Sequence, residues 1–409
     1  MLQPAGRSVG RACVVLLSAA VVVVAASAPT VNAQDADRER QSDFDRMVED
    51  QNRQFDEFTA RMERDWRAWV EADSLAFARF RAEVEAKWGT YAGTTRKDWV
   101  EYDQARDTRT AVDFEKGEAV IEVLVPADEA EGGPAGLERL RAAVAGLVVD
   151  QGTTMDYPVL DQAPRPLGQR PVLENQLAGT DGNPVDAGNA RQFAAEVVSR
   201  QRVSRTPVES GDGVTRIKLS VAVPLVPRHL RVRAERYLES VTTFARRYDL
   251  DTRVVLAVIH TESYFNPKAR SHVPAYGLMQ LVPGYGGKDA YQYVYGQSSL
   301  PTPNYLYDPR NNIELGCAYL NLVMTRYLEP ITNDLSRLYC AICAYNTGAG
   351  NVSRAFTGGT RVKAAADVIN GMAPDAVLAR LERELPYQET RDYIAKILDR
   401  VKYYDEWKN

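Results

Sequence analysis

Several features that would point to common kinds of chemistry are scarce or missing in this chain of 409 residues. It contains four cysteines and three histidines. The histidines, His229, His260 and His272, do not have the spacing of metal ligands, so no metal site is expected. The sequence also has no phosphate-binding loop and no dinucleotide-binding motif, so it predicts no cofactor.

An excess of positive charge is also missing. The formal net charge is −5 at pH 7, whereas proteins that bind nucleic acids usually present a basic surface. Nucleic acid is therefore not expected as a partner. The same charge permits a neutral or anionic polysaccharide, bound mainly through hydrogen bonds and stacking.

No cysteine follows the apolar stretch near the N-terminus, because Cys13 lies at its start. Two arginines precede this stretch, which runs from Ala12 to Ala28, and residues suited to cleavage end at Ala33. The pattern predicts a signal peptide over residues 1–33 and a periplasmic protein. An uncleaved signal that anchors the chain in the membrane is the alternative. Without a lipobox cysteine, no lipid anchor is predicted.

The other three cysteines are Cys317, Cys340 and Cys343. Their odd number leaves at least one thiol unpaired within the chain. Cys340 and Cys343 have the spacing of a redox pair, but no thioredoxin-like strand and helix surround them. We therefore expect buried thiols that pack as small apolar side chains.

The segment from Phe44 to Trp88 contains neither proline nor glycine. Its apolar residues recur in steps of three, four and four, with Asp73 as one interruption, which is the 11-residue repeat of a nearly straight helix. Such a stripe must pack on the following domain, on another copy or on another protein. We predict a long amphipathic helix over 34–93, in a coiled coil or as a spacer. It would mediate self-association or bind an envelope protein through 44–88, and add nothing to any chemical step.

The rest of the chain divides into two regions. Residues 94–226 mix strand patterns with helical ones, and residues 227–409 have helical periodicity almost throughout. The predicted fold class is therefore a multidomain protein with an α+β N-terminal domain and an all-α domain after the long helix. Within the α+β domain the patterns predict strands over 111–114, 119–125 and 215–223 and helices over 137–149 and 190–201.

Glu262 has the clearest chemical signal in the sequence. It follows the apolar run Val254–Ile259, and a carboxyl group held against apolar side chains has a raised pKa. A carboxylic acid that stays protonated near pH 7 can act as the general acid in glycosidic bond cleavage. On the local pattern alone, a surface glutamate near a helix end is the alternative.

Three further motifs follow Glu262-Ser263 in order: Ala275-Tyr276-Gly277-Leu278-Met279-Gln280, Ala344-Tyr345-Asn346-Thr347-Gly348 and Glu389-Thr390-Arg391-Asp392-Tyr393. This ordered set resembles the lytic transglycosylases of the goose-type-lysozyme-like superfamily, from about Pro227 to Asn409. Upstream motifs, including Trp99-Val100-Glu101-Tyr102-Asp103, narrow the resemblance to the membrane-bound lytic murein transglycosylase C family, back to about Thr94. Members of that family are typically lipoproteins. This sequence departs from them, because no cysteine follows its apolar N-terminal stretch.

The resemblance implies a lysozyme-like (SLT) domain over 227–409 that acts on peptidoglycan glycan strands. Glu262 would protonate the β-1,4 glycosidic oxygen between MurNAc and GlcNAc, and its carboxylate would then take the proton of the C6 hydroxyl. The product would be 1,6-anhydro-MurNAc, formed without water. The resemblance assigns substrate binding to six residues: Ser271, Met279, Gln280, Tyr345, Asn346 and Tyr393.

Two alternatives to this function stay open. One is a hydrolytic muramidase, in which water attacks in place of the C6 hydroxyl. The other is a non-catalytic glycan-binding or scaffold protein of the cell envelope, against which the presence of Glu262 argues. A cluster of tyrosines is interpreted either as a glycan-binding flank or as loop packing: Tyr291, Tyr293, Tyr295, Tyr305 and Tyr307.

Overall fold

The computed structural model describes residues 33–127, 134–271, 274–297 and 299–408. Among the side chains of residues 33–62, it describes those of Arg46, Arg53, Glu57, Ala60 and Arg61. The chain divides into two compact units, Met1–Thr59 and Ala60–Asn409. The predicted signal peptide lies outside the described residues, apart from Ala33, and so does His272.

The longest helix, α1, spans Ala33–Trp88. From Ala60 onward it belongs to the second unit, where it buries the predicted apolar stripe: Trp69, Phe80, Val84 and Trp88 are buried, and Trp66 and Phe77 are partly buried. Between Trp66 and Trp88 the stripe therefore packs on the following domain, one of the three arrangements that the sequence allows. Residues 66–88 are not a free stalk, because their apolar face is covered by the same chain. Self-association through the rest of the helix remains a prediction.

A five-stranded antiparallel sheet follows α1, with the order β1-β2-β3-β5-β4. Its strands are β1 Asp98–Tyr102, β2 Thr108–Asp113, β3 Glu118–Pro126, β4 Ser204–Val208 and β5 Arg216–Pro224. The strands predicted over 111–114 and 119–125 correspond to the end of β2 and to β3, and the two form an antiparallel hairpin. Gly117 closes it with a φ of 72°, a left-handed conformation that favours glycine. A Cβ there would lie 2.5 Å from Nε2 of His229, so the hairpin closely approaches the helical region.

Two helices of this region, α2 Pro134–Val149 and α3 Ala190–Arg200, are confirmed with small shifts of their ends. Leu140, Val144 and Leu147 recur on the buried face of α2, at the spacing of an amphipathic helix. Gly136 of α2 lies against Val125 of β3, where a Cβ would meet a valine methyl at 3.3 Å. These contacts build the core of the α+β region.

The remaining elements are helices, interrupted by two π-helical turns at Pro283–Gly287 and Val323–Tyr327 and ended by a 3₁₀ turn at Asp405–Trp407. Side chains of Asp251, Asp308 and Asn333 accept hydrogen bonds from backbone N–H groups at three of the helix starts. The helices are α4 His229–Arg247, α5 Thr252–Ser263, α6 Lys288–Tyr295, α7 Pro303–Leu306, α8 Pro309–Leu322, α9 Asp334–Thr347, α10 Ala349–Thr357, α11 Val362–Ile369, α12 Pro374–Glu384 and α13 Gln388–Tyr403.

A buried group of charges joins the α+β region to the helical one. Nζ of Lys268 lies 3.0 Å from Oε1 of Glu101 and 2.6 Å from Oδ1 of Asp156. A buried ammonium group requires such partners, because transfer out of water is costly for an unpaired charge. The predicted fold class is confirmed: an α+β region precedes an all-helical, lysozyme-like one. No helix in the described part of the chain is both long enough and apolar enough to cross a bilayer.

Candidate active site

Glu262 lies in the last turn of α5. The middle of the helix is apolar on all sides, and Val255, Leu256, Val258 and Ile259 have no exposed surface. This places α5 in the centre of the helical region. Glu262 is carried to the C-terminal end of a buried helix, where only 6% of its surface remains exposed.

The turn that follows α5 has an unusual backbone. Tyr264 and Phe265 both have left-handed conformations, with φ angles of 51° and 61°, which cost free energy in residues other than glycine. Nε of Arg233 donates to the carbonyl of Tyr264 at 3.1 Å, and Nδ2 of Asn266 donates to the carbonyls of Thr95 and Asp98 at 3.2 Å. The turn beside Glu262 is therefore held by both the helical and the α+β regions.

Burial raises the pKa of Glu262 to about 7. The Tyr393 hydroxyl and the Arg96 guanidinium lower this pKa, and the Glu389 carboxylate raises it. No cation in the described residues lies within ion-pair distance of Glu262. The Tyr393 hydroxyl faces the carboxyl group, but its geometry is not that of a well-formed hydrogen bond. The carboxyl group is therefore partly protonated at neutral pH.

Glu262 opens onto a cavity of about 1230 Å³ between the two regions of the second unit. Five of the six residues that the sequence assigns to substrate binding line the same cavity: Ser271, Gln280, Tyr345, Asn346 and Tyr393. They come from segments up to 122 positions apart, the separation of Ser271 and Tyr393 in the sequence. The fold brings them together around Glu262.

Gln280 is held rigidly at the cavity wall. Its backbone is left-handed, with a φ of 50°, and its Nε2 donates to the carbonyls of Ala269 and Gly277, both at 3.0 Å. Both amide protons are used in this way, so Oε1 is left as a buried acceptor without a partner in the described residues. The Gln280 amide group is therefore fixed at the cavity wall, with one acceptor that no described protein group satisfies.

Met279 is the sixth assigned residue, and its side chain does not line the cavity. It is fully buried against Gly316, where a Cβ would lie 2.2 Å from the Met279 sulfur. Its backbone carbonyl accepts a hydrogen bond from the Tyr345 hydroxyl at 2.8 Å. Direct contact of this side chain with substrate is therefore not favoured, because the motif uses the backbone of Met279 to position Tyr345.

Five other carboxylates line the cavity, and each has a bound partner. Oδ2 of Asp98 accepts a hydrogen bond from the Thr95 hydroxyl at 2.7 Å. The other four form ion pairs with cations that also line the cavity: Asp73 with Arg270, Glu115 with Lys97, Asp156 with Lys268, and Glu389 with Arg96. Glu262 differs from all five, because in the described residues no ion pair or well-formed hydrogen bond holds its carboxyl group.

The sequence reasoning missed the wall formed by α1 and the α+β region. Trp69, Asp73, Phe77, Tyr91 and Tyr157 line the cavity opposite the recognised motifs. One signal was present: Asp73 interrupts an otherwise apolar stripe, and a carboxylate on a buried face requires a partner. That partner is Arg270, which is 197 positions away, together with the Tyr157 hydroxyl.

Two smaller expectations can be compared with the structure. The three described cysteines are unpaired and buried, as predicted. Of the five clustered tyrosines, Tyr307 lines the cavity, whereas Tyr291, Tyr295 and Tyr305 pack against one another with ring centroids 4.6 and 5.7 Å apart. Packing between side chains of α6 and α7, and not within a loop, therefore accounts for three of the five tyrosines.

Comparison with protein families gives two adjacent matches. Residues 58–236 match the N-terminal domain of membrane-bound lytic murein transglycosylase C, and residues 239–367 match the transglycosylase SLT domain. Glu262 lies within the second match, and Tyr393 lies beyond its end. The first match begins inside α1, so it includes Trp69 and Asp73.

Similar curated proteins share most of their length with this chain. Membrane-bound lytic murein transglycosylase C of Klebsiella pneumoniae subsp. pneumoniae is 35% identical over 348 residues, which cover 82% of this chain and 91% of that protein. The same-named protein of Sodalis glossinidius is 34% identical over 338 residues, covering 81% and 89%.

Among solved structures, an inactive mutant of the lytic transglycosylase Slt from Pseudomonas aeruginosa is 28% identical, with a TM-score of 0.32. That match covers 41% of this chain and 24% of the Slt chain. On the identity and coverage of the curated relatives, and on the two family matches, this chain belongs to the membrane-bound lytic murein transglycosylase C family.

Proposed function

We propose that this lytic murein transglycosylase cleaves the β-1,4 bond between MurNAc and GlcNAc without water, with Glu262 as general acid and then as base. One observation carries the proposal. Glu262 is the carboxyl group on the cavity whose pKa burial raises to about 7, so it can both donate and accept a proton near neutral pH. The family of this chain and its SLT domain support peptidoglycan as the substrate class.

The proposed reaction has two proton transfers. Protonated Glu262 gives its proton to the glycosidic oxygen, and the bond from that oxygen to C1 of MurNAc breaks. The Glu262 carboxylate then takes the proton of the C6 hydroxyl of the same MurNAc, whose oxygen bonds to C1. The products are a GlcNAc hydroxyl and a 1,6-anhydro-MurNAc end. No water is consumed, and Glu262 is protonated again.

The other carboxylates of the cavity support a single-acid mechanism. Glycosidases that hydrolyse their substrate normally need a second carboxylate as nucleophile or base. Each candidate on this cavity is already bound to a cation or a hydroxyl group. The C6 hydroxyl can replace the second carboxylate, because it belongs to the sugar that reacts.

The surrounding residues receive supporting roles in this proposal. Gln280 would accept an N–H or O–H of a sugar at its free Oε1, and Tyr393 would hydrogen-bond the Glu262 carboxylate as it forms. Tyr345, whose hydroxyl donates to the Met279 carbonyl, would orient the sugar at the cleaved bond. Asn346, whose Oδ1 accepts a hydrogen bond from the Thr390 hydroxyl at 2.8 Å, would contact the sugar next to Tyr345. Ser271 would bind the sugar from the loop after Arg270.

The test is the chemical identity of the product. Murein digested with the enzyme is analysed by mass spectrometry, before and after borohydride reduction and in oxygen-labelled water. Anhydro ends resist reduction and carry no label from water. Reducible, labelled MurNAc ends as the main product would establish a muramidase instead.

We also propose that the protein is exported to the periplasm and that its mature chain begins near Gln34. The support is the apolar stretch from Ala12 to Ala28 with its cleavage-compatible end. N-terminal sequencing of the protein from a periplasmic fraction tests this. An intact N-terminus in the membrane fraction, or incorporation of labelled palmitate, would contradict it.

The sequence predicts self-association through residues 44–88. Because Trp66–Trp88 pack within the chain, we propose it only for the residues before Trp66. Light scattering of the full mature chain and of a chain that begins at Ala60 tests it, because the shorter chain keeps the packed stripe. A smaller assembly for the shorter chain is expected. Equal assembly sizes would remove this role from the helix.

A further inference from the structure

Thr390 lies in the first turn of α13 and is almost fully buried, with 1% of its surface exposed. Its hydroxyl donates to Oδ1 of Asn346, near the C-terminal end of α9, at 2.8 Å. Asn346 lines the cavity, whereas Thr390 does not. The direct route from Thr390 to a ligand in the cavity is therefore through Asn346.

This hydrogen bond is unlike those of other helical threonines in the described residues. Four of them donate to the backbone carbonyl four residues earlier, which is a common local use of a threonine hydroxyl: Thr243, Thr261, Thr325 and Thr357. Thr390 instead connects two helices. Within the described residues its hydroxyl has Asn346 as its hydrogen-bond partner and no other, so the hydroxyl is committed to that side chain.

The bond also sets the orientation of the Asn346 amide. A threonine hydroxyl carries one proton, whereas an amide has one acceptor oxygen and one NH₂ group. With Oδ1 towards Thr390, the hydroxyl proton has an acceptor. The reverse orientation would leave that proton buried without an acceptor among the described residues, which is costly. The buried hydroxyl therefore keeps Oδ1 towards Thr390 and directs Nδ2 away from it.

Nδ2 of Asn346 is the part of the amide that remains available. No described residue accepts a hydrogen bond from it, and it is not among the buried atoms that lack a partner. Because Asn346 lines the cavity, these N–H groups can donate to a ligand there. The amide thus presents a donor, and not an acceptor, to the cavity.

The start of α13 is itself held in place. Arg391 donates to the Leu385 carbonyl and, at 2.7 Å, to Oε1 of Gln388. Thr390 and Tyr393 are three residues apart, so they lie on the same face of this helix. Tyr393 faces the Glu262 carboxyl group. One helix therefore carries both the neighbour of the proposed acid and the residue that orients Asn346.

We propose that Thr390 is a positioning residue, which holds the Asn346 amide so that Nδ2 donates to an acceptor oxygen of the bound glycan. The carbonyl oxygen of an N-acetyl group and a sugar hydroxyl oxygen both suit this donor. The inference rests on the proposed function, because it assumes that Asn346 contacts the sugar. It gives a buried residue outside the cavity a part in substrate recognition.

The test compares two substitutions of Thr390 in the full chain. Thr390→Val keeps the shape of the side chain and removes its hydroxyl, whereas Thr390→Ser retains a hydroxyl. Turnover of soluble murein glycan fragments gives kcat and KM. In Thr390→Val the Asn346 amide is no longer held, so kcat/KM should fall about fivefold to tenfold, the effect of losing one hydrogen bond. Thr390→Ser should recover most of this loss.

A double-variant cycle separates positioning from structural support. Asn346→Ala removes the amide, after which Thr390 has nothing to orient. Thr390→Val should therefore add no further loss of kcat/KM to that of Asn346→Ala. A purely structural role of Thr390 would instead make the two losses multiply.

Asn346→Asp tests the direction of the amide. It keeps an acceptor for the Thr390 hydroxyl and replaces the N–H donors with a second oxygen. Because the proposal requires a donor at this position, kcat/KM should fall at least as far as in Asn346→Ala.

Ser353→Ala is the matched control. Ser353 is also 1% exposed, and its hydroxyl donates to the Ala349 carbonyl at 2.9 Å, but it does not line the cavity or contact a residue that the proposal uses. This change removes a buried hydroxyl group, as Thr390→Val does, and should leave kcat/KM unchanged.

Native kcat/KM in Thr390→Val, multiplied losses in the double variant, or an equal loss in Ser353→Ala would overturn the positioning role. If Thr390→Val does not fold, Asn346→Asp decides, because native kcat/KM in that variant would show that no N–H of Asn346 serves the substrate. Glu262→Gln in the same assay tests the proposed function separately. Near-native turnover by that variant would refute the function, whatever the Thr390 variants do.

Discussion

Two glutamates, one in each region of the second unit, are equally buried and have opposite pKa shifts. Glu262 at the end of α5 and Glu122 in β3 are each 6% exposed. Burial raises the pKa of both. For Glu122, the bonds to Arg109 at 2.5 Å and Lys218 at 3.0 Å outweigh burial and hold the pKa below its usual range. For Glu262 no cation does so, and its pKa rises to about 7.

The difference teaches that burial alone does not define an acid for catalysis. A buried carboxyl group keeps its proton only where the protein supplies no nearby cation. On the side of the cavity formed by the α+β region, each carboxylate has a bound partner, so this side contributes shape and fixed charges. The helical wall leaves one carboxyl group unpaired and so contributes a mobile proton.

The largest effect is expected from Glu262→Gln, which keeps the size of the side chain and removes its proton. Loss of general acid catalysis should reduce murein cleavage at least about a hundredfold, because such catalysis contributes roughly 10²–10⁴-fold. Turnover is measured by release of muropeptides, and folding by circular dichroism. Glu239→Gln, the same change at an exposed position of α4, is the control and should keep full activity. Near-native turnover by Glu262→Gln would show that another group supplies the proton.

The paired glutamate can be made to resemble the unpaired one. Arg109→Met removes one of the two cations of Glu122, and breaking a buried ion pair should lower the free energy of unfolding by about 3 kcal/mol at pH 7. Because the folded pKa of Glu122 is lowered, its contribution exists above the unfolded pKa and is lost as pH falls. The deficit of the variant in urea denaturation should therefore shrink near pH 4.

Arg231→Met is the control for this experiment. Arg231 forms exposed ion pairs with Glu235 and Glu406, and such surface pairs contribute little to stability. A deficit as large as that of Arg109→Met would show that any arginine loss destabilises this protein. The contrast between the two glutamates would then lose its stability argument.

The two glutamates should also give stability curves of opposite slope. The folded pKa of Glu262 is raised from 4.5 to about 7, so its stabilising contribution is present below pH 4.5 and is lost as pH rises through 7. Between pH 4 and pH 8, Glu262→Gln should gain stability relative to the native chain by about 3 kcal/mol. Glu122→Gln should lose stability over the same range. Parallel curves for the two variants would contradict the assigned environments.

Sequence reasoning could locate Glu262, because an apolar run that ends in a carboxylate is a local pattern. It could also find the β2–β3 hairpin, where Gly117 permits the left-handed turn. It could not find the opposite wall, since the bond from Arg270 to Asp73 joins residues 197 positions apart. Nor could it show that Met279 acts through its backbone carbonyl and not through its side chain, because a sequence motif identifies only the residue. Periodicity showed that α1 needs a partner, but only the folded chain shows which one.

The smallest effect is expected from Tyr393→Phe, which removes one hydroxyl group next to Glu262 and so tests a single contribution to its pKa. The Tyr393 hydroxyl lowers the pKa of Glu262, so Tyr393→Phe should raise that pKa further. The proton donor is active below its pKa, and kcat/KM should fall as pH rises through about 7 in the native enzyme. In the variant this alkaline limb should move to higher pH, with a severalfold lower rate at pH 6, because the forming carboxylate loses a hydrogen bond. Tyr403→Phe, on the exposed side of the same helix, should leave the limb in place. An unmoved limb in Tyr393→Phe would mean that the hydroxyl serves the sugar and not Glu262.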